Sequence, residues 1–226
     1  MSDNPTQMHR PHWHHSNKGE HRFPVVLVVL VVITLQYALP RELSMGIQHP
    51  ICVAEAFLAL VLLATSPRRI NTHHRPTRYL GLALTTIMTI SNTASAVLLI
   101  RFLLNGDAKD PNRLLLSGAS IWLTNIIIFS LWFWDLDRGG PGARAEAINQ
   151  HPDFIFPQMS DPDYAPSNWH PNFFDYMYTS FTNASAFSPT DVLPLTRWAK
   201  MLMMLQSLTS LLTVGLVVAR AVNILN

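Results

Sequence analysis

Apolar residues in this chain come in long blocks separated by short polar or proline-bearing breaks, and that pattern predicts an all-helical membrane protein. The first block, Pro24 to Leu39, opens and closes on prolines, with Pro40 just beyond it. A second runs from Met45 to Thr65 and stops at Ser66-Pro67, and a third from Tyr79 to Leu104 stops at Asn105-Gly106-Asp107. The fourth, Leu114 to Trp134, ends on Trp132 and Trp134, which fit an interfacial aromatic belt. The fifth is Trp198 to Arg220. Ahead of it, Asn172 to Ala186 reads as an amphipathic helix of about 22 Å, too short to cross a hydrocarbon core of roughly 30 Å. A polar break follows, in which Pro189 cannot donate to a helix. Irregular backbone survives at membrane depth only under cover of protein or water, so the pattern predicts a re-entrant helix-loop leaning on other helices.

The remaining segments are polar. Residues 1–23 are His-rich and aperiodic, which predicts a disordered tail. Residues 135–171 form a proline- and aspartate-rich loop, read as a folded-back cap. Its acidic residues, among them Asp135, Asp137, Glu146 and Asp153, would either line a cation-attracting vestibule or be simply solvated. The organisation is thus a tail (1–23), a four-helix region (24–134), the loop (135–171) and a pore-like C-terminal unit (172–226), around which the chain is organised.

In that last unit, Ala186-Phe187-Ser188-Pro189-Thr190-Asp191 is followed by Val192, Pro194, Thr196, Ala199 and Lys200. The register resembles a potassium-channel pore, where a pore helix leads to Thr-Val-Gly-Tyr-Gly-Asp, a hydrophobic residue, Pro, Thr and Ala-Arg. It also resembles a family of bacterial inner-membrane proteins, without an assigned function, that share a degenerate form of this motif. The entry Pro171 to Tyr176 (Pro, aromatic, Asp, aromatic) belongs to the same likeness, which covers about the last quarter of the chain. With the apolar blocks, the reading is five membrane helices plus a re-entrant pore-like loop, and the likeness implies a homo-oligomer (a dimer, or a tetramer if the pore analogy is literal). Ser188 and Thr190 replace both filter glycines and Pro189 the tyrosine. Positive-φ carbonyl geometry needs glycine, so a potassium filter of the known kind is excluded.

Composition sharpens this picture. Hydrophobic residues make up 49% of the 226 and charged residues only 13%, against about 25% in soluble domains. A net charge of +2 gives no case for a nucleic-acid partner, and the lone Cys52 allows no intrachain disulfide. The first apolar block is long, starts late and lacks a small-x-small cleavage site, which reads as an uncleaved helix. Arg10, Lys18, Arg22, Arg68, Arg69, Arg75, Arg78, Arg138, Arg144, Arg197 and Lys200 fall on the N-terminal side of the predicted topology. The positive-inside rule therefore puts the N-terminus in the cytoplasm of a multi-pass inner-membrane protein. It also puts the filter-like loop on the cytoplasmic side, opposite to potassium channels.

Candidate functional residues follow from polarity inside apolar segments. Thr182, Asn183, Ser185, Ser188, Pro189 and Thr190 would line a constriction, with Asp191 drawing cations to it. Otherwise the hairpin packs helices together and Asp191 caps the next turn. Glu55, within the second block, is costly in a membrane and reads as a relay or as a polar staple. Asn92 shares a helix face with Thr85 and Thr89, and Gln206 shares one with Ser210 and Thr213. Ser117, Ser120 and Thr124 form a similar stripe, and small polar residues of this kind are commonly interhelical glue. His9, His12, His14 and His15 are weak metal-ligand candidates without fixed geometry, and no cofactor is expected. No nucleophile motif, phosphate loop or zinc-protease signature occurs, so an enzyme is not expected. These features leave a channel-like protein passing ions or small solutes across the bilayer, or a non-conducting scaffold or sensor of the same fold.

Overall fold

The computed structural model describes residues 12–225 apart from 45, 66–68, 71, 73, 106–109, 167 and 187–190, with the backbone alone at 12, 162, 224 and 225. Eight α-helices account for most of the described residues: α1 (Phe23–Tyr37), α2 (Gln48–Thr65), α3 (Arg75–Leu104), α4 (Pro111–Leu136), α5 (Pro141–Ala145), α6 (Pro157–Ser160), α7 (Phe173–Ala186) and α8 (Arg197–Leu225). Four of them, α2, α3, α4 and α8, are long and apolar enough to cross a membrane. With 15 residues, α1 is apolar but shorter.

Local chemistry sets the helix ends. Proline occupies the first turn of α1, α3 and α4, where its missing N–H costs nothing. The Asp110 carboxylate caps α4 by accepting from the N–H groups of Asn112 and Arg113 at 3.0 and 3.3 Å. At the other end of α4 the chain turns through Arg138, Gly139 and Gly140, all at positive φ (53°, 85° and 95°). Two glycines make that turn accessible, but Arg138 adopts a conformation uncommon for a side-chain-bearing residue. The start of α7 is capped reciprocally: Asn172 Oδ1 accepts from Phe174 N at 2.9 Å, and Asp175 Oδ2 from Asn172 N at 2.8 Å.

The organising helix is α4, not the C-terminal unit. It touches α1, α3, α7 and α8, and 67% of its apolar window is buried, against 22–39% in the other three long helices. Two small antiparallel pairings gather the chain at one end of the bundle, here termed the cap. Strand β1 (Glu20–His21) pairs with β2 (Arg69–Ile70), and β3 (Phe154–Ile155) with β4 (Leu193–Pro194). From the cap α1, α3, α7 and α8 run down the bundle, and α2 and α4 run back to it. An exposed Arg113–Glu42 pair (3.7 Å) and a cluster including Leu43, Leu99, Leu114 and Val217 mark the opposite end.

Three expectations change. Residues 13–22 are not a structureless tail: Trp13 and Asn17 bond to the loop after α4, and Glu20 is tied into the cap. Asp135 and Asp137 line no vestibule, because they are 8% and 0% exposed and the loop folds inward around them. Trp134 is no interfacial belt residue, since it is buried and donates to Glu20 Oε2 at 2.7 Å.

Candidate functional site

The most polar part of the bundle interior lies where α7 meets α4 and α8. Ser180 donates to the Ile126 carbonyl at 2.6 Å. Gln206 Nε2 donates to Ser180 Oγ at 2.6 Å and to its carbonyl at 2.9 Å. Asn183 Nδ2 donates to Gln206 Oε1 at 2.8 Å and to the Met203 carbonyl at 3.0 Å. One turn further down, Asn125 on α4 donates to Ser210 Oγ at 3.1 Å. Each of these side chains is at most 3% exposed. The approach is close enough that a Cβ on Gly118 would fall 2.7 Å from Val217. Side-chain amides and hydroxyls here join three helices, the behaviour of polar glue in an apolar interior.

Of the sequence-predicted hairpin residues that are described, only Asn183 joins Gln206 in this network. Thr182 turns back onto its own helix, bonding the Tyr178 and Thr179 carbonyls at 3.0 and 3.1 Å. Ser185 does the same to the Phe181 carbonyl at 2.7 Å. Both share the outer side of α7 with the exposed Phe174, Tyr178 and Phe181. Asp191 is exposed, and Ser188, Pro189 and Thr190 lie outside the described residues.

Glu55 is fully buried between α1, α2 and α3. With its amide nitrogen turned toward that carboxylate, Gln36 reaches the two oxygens at 3.1 and 3.2 Å and Ser91 Oγ at 3.3 Å. Asn92, also buried, leaves its Oδ1 without a hydrogen-bond partner. Among the described residues no hydrogen bond joins the Glu55 set to the Asn183–Gln206 set. Of the histidines, His9 lies outside the described residues, as does the side chain of His12. His14 packs edge-on against Trp13 and His15 is exposed. No group of three or more His, Cys, Asp or Glu able to hold a metal occurs among the described residues.

A second polar centre, in the cap, joins Asp137 and Asp153, which the sequence offers as vestibule or solvated loop residues, to Arg144, Tyr176 and Glu20. Asp137 Oδ2 accepts from the Tyr176 hydroxyl at 2.6 Å and its Oδ1 from Asp153 N at 2.8 Å. Arg144 Nη1 donates to the carbonyls of Trp134 and Asp137 at 2.7 and 3.0 Å, and Nη2 pairs with Glu20 at 2.8 Å. Its guanidinium also stacks 5.0 Å from the centre of the Tyr176 ring. Glu20 Oε2 further accepts from Phe173 N at 3.1 Å. Asp153 holds the start of α8 through Trp198 Nε1 at 3.0 Å and Leu195 N at 2.8 Å. Burial works against the Arg144 charge, but the Tyr176 oxygen, Glu20 and Asp137 outweigh it, so its pKa lies above the ordinary value. This clasp fixes β1, the end of α4, the following loop, and the starts of α7 and α8 in one unit. The sequence signal for it is the run Trp134-Asp135-Leu136-Asp137-Arg138-Gly139-Gly140, where charges follow directly on an apolar helix.

The fold and its two polar centres define a class: a helical bundle of membrane-spanning character, with a short helix-loop inserted beside its central helix and a charged cap at one end. Comparison with known proteins adds no narrower identity, because the chain matches no family model, no curated protein and no solved structure.

Proposed function

We propose that this chain is a multi-pass membrane protein with five membrane helices (α1 as a short first span) and a re-entrant α7-loop. In this reading the channel-like hairpin locks the bundle instead of conducting through it, and the protein works as a non-conducting scaffold or sensor. The observation that carries it is the Ser180–Asn183–Gln206 network, whose members bond to one another and to α4 and α8. An aqueous path through the bundle, between α7 and its neighbours, would require those same groups to face water.

Re-entrance is supported by chain direction. Asn183 meets Gln206 about 14 Å below the start of α8 at 1.5 Å per residue, yet by Leu193 the chain pairs with β3 at the cap again. The arginines gathered at the cap support a cytoplasmic N-terminus in a bacterial inner membrane. The likeness to potassium-channel pores is then one of local fold, which does not carry function with it. A second reading keeps conduction, along the axis of a homo-oligomer. Thr182, Ser185 and Asp191, on the side of the hairpin turned away from the bundle, favour it. Ion flux through reconstituted protein separates the two readings: a flux reduced by Asp191→Asn would sink the first, and its absence in well-folded protein would sink the second.

A further inference from the structure

At the cap end, between α1, α2, α3 and α4, lies a cavity of about 100 Å³. Its deeper wall is apolar, formed by Val25, Val29, Ala59, Leu62 and Leu84. Three guanidinium groups line its polar side, from Arg22, Arg69 and Arg78, together with His74. Among the described lining residues Asp135 is the one carboxylate, packed so close to Gly81 that an added Cβ would meet its Oδ2 at 3.3 Å. Arg144, Arg78 and Arg22 are its positive neighbours, and Arg144 is itself matched by Glu20. Leaving Arg22 aside, Arg69 and Arg78 face one carboxylate, Asp135, among the described lining residues. Arg78 lies along the backbone of Gly139 and Gly140, and its Nε makes no hydrogen bond. Arg69 is held through Nη1 by the Lys18 and Gly19 carbonyls at 3.5 and 3.3 Å and through Nη2 by His21 Nε2 at 2.7 Å.

We propose that this cavity binds an anionic phospholipid, with the headgroup phosphate on Arg69 and Arg78 and the start of one acyl chain along Val25, Val29 and Leu62. Guanidinium forks match phosphate oxygens, and basic pockets between membrane helices at the cytoplasmic surface suit anionic headgroups. The apolar wall selects an amphiphile over a free anion, because inorganic phosphate would leave it unfilled. The inference rests on the membrane reading and orientation above, and is independent of whether the protein conducts.

The test uses the full chain purified in detergent, with phosphatidylglycerol, phosphatidylcholine or inorganic phosphate added. Thermal unfolding and native mass spectrometry are the readouts. Phosphatidylglycerol should raise the unfolding midpoint and remain bound, whereas phosphatidylcholine and inorganic phosphate should not. Arg78→Gln should weaken the phosphatidylglycerol effect by about tenfold in concentration, the order expected for one lost charge-assisted contact. Arg69→Gln, at the exposed rim, should weaken it similarly and covers the case in which the Arg78 variant misfolds. Arg113→Gln, at the opposite end, should change nothing. Equal effects of both lipids, a full effect in Arg69→Gln, or reproduction by inorganic phosphate would each overturn the proposal. Resistance of the protein to alkaline extraction from membranes is scored separately. A chain that stays in the membrane but ignores phosphatidylglycerol thus refutes the lipid site alone.

Discussion

Asn183 on α7 and Gln206 on α8 meet amide to amide at 2.8 Å, Asn183 1% and Gln206 0% exposed. This contact, extended by Ser180, converts an insertion that sequence likeness associates with a pore into a joint between helices. Replacing Gln206 by Leu leaves Asn183 and Ser180 each short of a partner, at a cost of about 1–3 kcal/mol. Unfolding in detergent should therefore fall to a lower temperature. The combined Ser180→Ala, Asn183→Leu, Gln206→Leu variant should recover part of that loss, which a mutant cycle on midpoints would detect.

In the cap, Arg144 is the shared partner of Glu20, two backbone carbonyls and the Tyr176 ring. Arg144→Met removes the positive charge beside the Asp137 and Glu20 carboxylates, which keep their neutral donors, and a broken buried pair typically costs about 3–5 kcal/mol. Tyr176→Phe removes one bond to Asp137 and should cost less, about 1–3 kcal/mol. Denaturation midpoints of the two variants should keep that order. A reversed order would mean that the hydroxyl, not the guanidinium, holds the clasp together.

Glu55 accepts from the Gln36 amide, and among the described residues no basic side chain is bonded to it. Glu55→Gln keeps the shape and removes a group whose charge is costly at membrane depth. The variant should be at least as stable as the parent, whereas Glu55→Leu, which takes from the Gln36 amide its carboxylate partner, should be less stable. Comparing their thermal midpoints checks this, and a destabilised Glu55→Gln would show that the carboxylate itself is required.

Chain direction makes a sided prediction. In a Cys52→Ala background, which removes the lone buried thiol, Asp191→Cys and Lys18→Cys should react with an impermeant thiol reagent from the same membrane face. Glu42→Cys should react from the other. Labelling of Asp191→Cys together with Glu42→Cys would mean that the α7-loop crosses fully.

The helices were largely legible in the sequence because prolines, caps and polar breaks punctuate long apolar runs. The predicted third block begins at Tyr79 and the fourth at Leu114, a few residues inside α3 and α4, since Arg75 and Pro111 belong to first turns that carry polar residues. Asn183 and Gln206 could be named from their polarity, but not their pairing, because the register between α7 and α8 depends on how far the intervening loop doubles back. The cap clasp was hidden for a different reason. Asp137, Arg144 and Glu20 look like solvated charges in a loop and a tail until distant segments bring them together, and nothing in their spacing announces burial. Asn125 carries no such mark either, because one amide in the run Thr124-Asn125-Ile126-Ile127-Ile128 gives no periodic signal.

The central claim is that the protein does not conduct ions, through its own bundle or along an oligomer axis, and flux across liposomes tests it most directly. Purified protein, shown to be folded by its unfolding transition, would be reconstituted and assayed with potassium, sodium and proton gradients. The account predicts leakage no greater than in empty liposomes, for both the parent and Asp191→Asn. Cation flux above that background, diminished by Asp191→Asn, would contradict it and establish a pore with its mouth at the hairpin.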